Sequence, residues 1–225
     1  MSPQLAWHVA RAAGLVAWAL TAAAVIWGLL LSTRVAGRRP PPAWLADLHR
    51  YLGGLAVTFT AVHIGALLAD TWVHFDIVDI VVPFASQWRP SAVAWGVVAM
   101  YLLAAVETTS LLRRRVPTRW WRAIHLSSFA LFVVGTIHLL TAGTDATSPW
   151  VLATVGVAVS AVVYLTAVRV LTPRRRAKRT APATSRTATP DRPRRTSRDP
   201  MPSAAATGAT APGRASRRSA IRSGA

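Results

Sequence analysis

The chain has 225 residues, 52% of them hydrophobic, and a formal net charge of +18. It has no cysteine, which excludes disulfides, thiolate-held iron–sulfur clusters, covalent c-type haem attachment and a redox dithiol. The apolar residues are concentrated in the first 172 positions, so the composition is not that of an average soluble domain.

Five apolar stretches follow one another at 12–32, 52–70, 91–112, 123–142 and 149–171. Each is long enough to cross a hydrocarbon core of about 30 Å, which takes roughly 20 helical residues. The first stretch lacks a basic leader, is too long for a signal h-region and ends at Ser32-Thr33-Arg34 rather than at a small-residue cleavage site, so it reads as a retained helix. Pro40-Pro41-Pro42 and Pro117 lie just before the second and fourth stretches, where a fixed φ helps a helix to start. The expected fold is all-α: an integral membrane bundle of five transmembrane helices over residues 1–172.

The short loops set an expected orientation. Arg34, Arg38, Arg39 and Arg50 flank the first loop, and Arg113, Arg114, Arg115, Arg119 and Arg122 crowd the third. The second loop offers Asp70, Asp76, Asp79 and the single Arg89, and the fourth only Asp145. The first and third loops are therefore expected in the cytoplasm, with the N-terminus outside and the C-terminus inside. The long second loop mixes aromatic, aliphatic and acidic residues from Trp72 to Phe84, the pattern of a short segment lying in the membrane interface. Lysine occurs once against 25 arginines, the bias of a GC-rich bacterial genome, and the expected location is a bacterial plasma membrane.

From Pro173 onward the sequence turns to Arg, Ala, Pro, Ser and Thr. Residues 173–225 carry fourteen basic and two acidic side chains, cannot build a core, and are expected to be disordered. With no aromatic for base stacking and a membrane tether, the tail suits anionic lipid and not nucleic acid.

An ionisable residue inside a membrane span is costly and asks for a partner or a purpose. His49 and His63 lie 14 residues apart on the second helix, and His125 and His138 lie 13 apart on the fourth. At 1.5 Å per residue these separations are about 21 Å and about 19.5 Å. The two helices run in the same direction, so His49 falls level with His125 near the cytoplasmic face and His63 level with His138 near the outer face. Histidines at two matching depths can clamp two b-type haems, each iron taking one neutral imidazole from either side. Gly53, Gly54, Gly65 and Gly135 lie near these histidines and are expected to leave room for a flat macrocycle. Fourteen residues return a side chain to nearly the same helix face, but thirteen do not, so the fourth helix must bend or change winding; Ser127-Ser128 and Gly135 are candidate places. His8 and His74 have no depth-matched partner and read as polar surface residues.

Leu48-His49-Arg50-Tyr51-Leu52-Gly53 leading to His63-Ile64-Gly65, and Trp121-Arg122-Ala123-Ile124-His125 leading to His138, resemble the ferric reductase-like transmembrane family. That family includes the membrane part of NADPH oxidases and the haem subunit of the bacterial methionine-sulfoxide reductase system. Arg11-Ala12-Ala13-Gly14 and the segment Pro83-Phe84-Ala85-Ser86-Gln87-Trp88-Arg89-Pro90 are similar to bacterial members. The resemblance covers residues 5–172. It implies electron transfer from a cytoplasmic flavin and nicotinamide source, through an inner haem (His49/His125) and an outer haem (His63/His138), to an external acceptor.

Two features depart from that pattern. Five spans stand where many members have six, and nothing after Leu171 has the strand pattern or glycine-rich phosphate loop of a flavin or nicotinamide domain. The donor is then expected to be a separate cytoplasmic flavoprotein reductase or a membrane quinol. Haem propionates need charge-assisted partners; Arg50 and Arg122 adjoin the inner ligands, and Arg11 lies at the outer end of the first helix. The competing readings are a quinol-linked haem subunit of a periplasmic reductase system, and a non-redox membrane scaffold or transporter whose histidines hydrogen-bond between helices.

Overall fold

A computed structural model describes residues 3–33 and 42–172. Among these residues the chain is helical and contains no strand, in the order α1 (Pro3–Thr33), α2 (Pro42–Leu68), α3 (Ile77–Val81), α4 (Pro90–Leu111), α5 (Thr118–Leu126), α6 (Ser128–Ala142) and α7 (Pro149–Leu171). Arg34, Arg38, Arg39, Pro40, Pro41 and the tail from Pro173, with the expectations attached to them, lie outside the described residues.

Five helices are long and apolar enough to cross a membrane, with α5 and α6 together forming one span, Thr118–Ala142. A helix satisfies every internal backbone donor and acceptor within its own segment, the requirement a bilayer imposes. Within the described helices prolines stand only at the first position, Pro3, Pro42, Pro90 and Pro149, where they cost no internal hydrogen bond. On α7, Val155, Ala158, Val162 and Leu165 turn inward, while Val157 is 71% exposed and Val163 62%. Such an apolar outer face would be an aggregation surface in water; in a bilayer it is the lipid face.

α1 is the hub. Its buried Ala6, Ala10, Ala13 and Ala17 fall on one face and let α2 approach closely, the small-residue packing that membrane helices favour. Further along, Trp18, Ala22, Val25 and Leu29 form a core with Phe132 of α6 and Val155, Ala158, Val162 and Leu165 of α7. Trp18 donates from Nε1 to Thr136 Oγ1 at 3.0 Å and stacks on Phe132 at 6.4 Å between ring centres. α4 packs against α6, whereas α2 packs mainly against α1 and only slightly against α4.

The discontinuity expected in the fourth span falls at Ser127. Its backbone N–H and its hydroxyl both donate to Ile124 O, at 3.0 and 2.6 Å, which tightens the turn and separates α5 from α6. Gly135 stays helical inside α6. The long second loop contains the five-residue α3, started by a reciprocal capping box between Asp76 and Asp79. His74, Phe84 and Arg89 in this loop have positive φ values of 56°, 68° and 45°. Arg89 donates from Nη1 to Thr141 O at 2.9 Å, which ties this left-handed residue to the end of α6.

Candidate cofactor site

α2 carries His49 and His63, α5 carries His125 and α6 carries His138. The structure brings them together as two pairs. The ring centres of His49 and His125 are 5.9 Å apart, those of His63 and His138 are 6.4 Å apart, and both pairs have planes crossing at 76°. The break at Ser127 lets residues 13 apart on one span face α2 at both levels. The His63/His138 pair lies toward the end of the bundle that carries α3, and the His49/His125 pair toward the end that carries Arg113–Arg122.

The hydrogen bonds fix which ring nitrogen is free. His63 Nδ1 donates to Ala10 O at 2.7 Å, His138 Nδ1 to Ala92 O at 2.8 Å and His49 Nδ1 to Ala24 O at 3.0 Å. A carbonyl only accepts, so Nδ1 carries the proton in each case and Nε2 keeps its lone pair. His125 is held differently. Its Nδ1 is buried without a hydrogen-bond partner, and its ring stacks on Trp121 at 4.9 Å and 18°, with the Arg113 guanidinium 4.6 Å from the centre of that indole.

These pairs fit bis-histidine haem iron. With a metal–nitrogen bond of roughly 2 Å on each side and roughly 1.1 Å from a ring nitrogen to its ring centre, a linear N–metal–N unit separates the ring centres by about 6.2 Å. The observed 5.9 and 6.4 Å bracket that value. Among the described residues no cluster of three or more His, Cys, Asp or Glu could hold a bare metal ion. Two imidazoles at each level would suit a metal whose other positions are filled by a macrocycle.

His63 and His138 border a cavity of about 210 Å³. Its walls are mostly apolar and include Trp18, Met100, Leu103 and Leu131. Trp7, Phe75 and Trp88 also line it, with Trp88 edge-on to Trp7 at 6.3 Å and to Phe75 at 6.0 Å. Arg11 and Asp145 line the same cavity and form an ion pair, with Arg11 Nε donating to Asp145 Oδ2 at 3.0 Å.

Of the other arginines singled out from the sequence, Arg50 pairs with Asp47 at 2.5 Å on an exposed surface, and Arg122 is exposed. His8 and His74 are exposed and stand apart from both pairs.

The glycines divide in a way the sequence reading did not foresee. Gly54 and Gly65 are exposed and face open space. The space beside Gly53 is taken by Glu107, whose Oε1 would lie 2.5 Å from an added Cβ. Gly135 lines the cavity, as expected. The glycines that touch the histidine rings are Gly14 and Gly28 on α1 and Gly96 on α4. A sequence signal for two of them existed: Gly14 and Gly28 repeat the 14-residue spacing of His49 and His63.

Residues 13–136, more than half the chain, match the family described as ferric reductase like transmembrane component. The match contains His49, His63 and His125 and ends just before His138. No curated protein and no solved structure matched the chain.

Proposed function

Because the chain belongs to the ferric reductase-like transmembrane family, we propose that it is a di-haem b-type cytochrome that passes electrons across a bacterial plasma membrane, from a donor on the cytoplasmic side to an acceptor outside. Membership supports a membrane electron-transfer component in general. The observation that carries the finer reading is the pair of depth-matched histidine pairs, with ring centres 5.9 and 6.4 Å apart and Nε2 left free on three of the four rings by bonds at Nδ1.

Under this reading His49 and His125 hold the inner haem, and His63 and His138 the outer. A bis-histidine haem supplies a one-electron couple with no open iron position for oxygen or substrate. The chain's own residues orient the imidazoles, keep the interior dry and set charge at the two ends. Arg11, at the rim of the cavity and already ordered by Asp145, is the partner for a propionate of the outer haem, and Arg50 and Arg122 serve the inner one. The macrocycles would lie between α2 and the α5–α6 span, with the histidines of both sides holding them.

The donor in this reading is a cytoplasmic flavoprotein or a quinol. Exposed Arg114, Arg115, Arg119 and Arg122, with Trp120 57% exposed among them, make a basic face beside His125 that suits an acidic flavoprotein. The carboxyl of Glu107, inside the α4 span, favours a quinol, which must shed protons as it gives up electrons. With the cytoplasm electrically negative, an electron moving outward gains about 2.3 kcal/mol per 100 mV for a full crossing.

In proteoliposomes of known orientation, a reductant confined to the arginine-rich face is expected to reduce an impermeant acceptor on the other side. Unchanged acceptor reduction in His49→Ala protein would mean that electrons enter by another route.

A further inference from the structure

Three of the four histidines meet a neighbouring helix through the same small construction. The carbonyls that accept from His63, His49 and His138 belong to Ala10, Ala24 and Ala92. Four residues after each of these stands a glycine: Gly14, Gly28 and Gly96. In an α-helix the side chain of residue i+4 lies over the preceding turn and covers the carbonyl of residue i. Glycine there leaves the oxygen open from the side, so it can keep its helix bond and accept a second donor.

The fit is close in every case. A Cβ added to Gly96 would lie 2.6 Å from His138 Cε1 and 2.8 Å from its Nδ1; one added to Gly14 would lie 2.9 Å from His63 Nδ1; one added to Gly28 would lie 3.3 Å from His49 Cε1. At Gly14 and Gly96 the imidazole occupies volume that a Cβ would need, and at Gly28 a Cβ would press against it.

The fourth position is built otherwise. Gly96 lies 14 residues before Ser110, as Gly14 lies 14 before Gly28. The Ser110 hydroxyl donates to Val106 O, four residues back, at 2.7 Å. The carbonyl in the register of Ala92 is thus already taken, and His125 is the histidine whose buried Nδ1 has no partner.

We infer that Gly14, Gly28 and Gly96 are positioning residues for the haem ligands: each opens a helix carbonyl to the Nδ1–H of one imidazole, which fixes its tautomer and ring plane and presents Nε2 to the metal. The inference rests on the di-haem reading above. It makes the two levels unequal, since the outer pair has two such bonds and the inner pair one. A hydrogen bond from the far nitrogen makes an imidazole a more basic ligand and favours the oxidised metal. Losing it is expected to raise the potential of the haem concerned and to weaken its binding by roughly tenfold or more.

The test compares purified full-length Gly14→Ala, Gly28→Ala and Gly96→Ala with Gly65→Ala, which adds a methyl to open space. Haem per chain and a redox titration resolved into two components are read for each. Gly96→Ala and Gly14→Ala are expected to deplete the outer haem or raise its potential while the inner one stays as in the unsubstituted protein. Gly28→Ala, with the most room, is expected to leave both haems bound and raise the inner potential alone, so it remains informative if the tighter variants fail to fold.

Variants that match Gly65→Ala, or that disturb both haems equally, would overturn the inference and leave the di-haem reading standing. Unsubstituted protein without haem would overturn both.

Discussion

Both histidine levels pair an imidazole of α2 with one of the fourth span, at ring-centre distances of 5.9 and 6.4 Å, yet they are finished differently. At the α3 end both imidazoles are hydrogen-bonded to backbone carbonyls, and the cavity beside them is lined by Trp7, Phe75, Trp88 and the Arg11–Asp145 ion pair. At the arginine end one imidazole is anchored in that way, and the other is held by stacking on Trp121 beneath Arg113. Trp120 and four arginines stand exposed next to it. A cofactor level that must meet a large partner has to lie close under an accessible, charged surface, whereas one that must keep its cofactor in place gains from enclosure and from fixed ligands. The contrast fits entry at the arginine end and retention at the other.

The sharpest way to break the comparison is to remove one ligand at a time. His63→Ala or His138→Ala is expected to abolish the outer haem and leave the inner one at least partly bound, and His49→Ala or His125→Ala the reverse. Haem per chain and the reduced absorption spectrum measure this. Equal loss of both haems in every well-folded single variant would mean that the levels are not independent sites.

A smaller effect is expected at the basic face. Replacing Arg114 and Arg119 by Glu should slow reduction by an acidic flavoprotein severalfold at low ionic strength, with the difference shrinking as salt rises. Stopped-flow traces at two salt concentrations test it; a salt-independent difference would point away from docking. His63→Ala, by contrast, should leave this entry step alone.

Smaller again is the effect of Arg11→Ala, which removes one side of an ion pair at the cavity rim. The outer haem is expected to shift in potential or occupancy while the inner one does not move, and an unchanged redox titration would take Arg11 out of the site. The smallest effect belongs to Thr136→Val, which deletes the acceptor for Trp18 Nε1. A loss of about 0.6 kcal/mol in stability is expected, the usual size of a hydrogen bond between membrane helices, with no preference for either level.

Much of this was legible in the sequence for a physical reason: a bilayer permits few solutions, so long apolar runs and intramembrane histidines carry more information than the same residues would in a soluble domain. The ends of the helices were less legible. α1 begins at Pro3 and α2 at Pro42, against apolar stretches starting at 12 and 52, because the helices continue past the hydrocarbon layer through mixed segments such as Trp44-Leu45-Ala46-Asp47. The 13-residue spacing correctly announced an irregularity in the fourth span, although not which candidate, Ser127 or Gly135, would supply it. Arg11 reaching Asp145 across 134 positions could not be seen, since nothing in either local sequence encodes the approach of α1 to the loop before α7.

The glycines show the limit most clearly. Those next to the histidines in sequence drew attention, while three of the glycines that matter to the rings sit on the helices behind them. Neighbourhood along the chain says little about which side chain will press against a backbone from another helix. Only the repeated 14-residue interval of Gly14 and Gly28 carried a trace of it.

The most direct measurement is the haem content of the purified full-length protein together with its reduced absorption spectrum. Two b-type haems per chain, with the sharp α-band of bis-histidine coordination, are the result expected from two levels of paired imidazoles. One haem per chain, or none, would contradict the account.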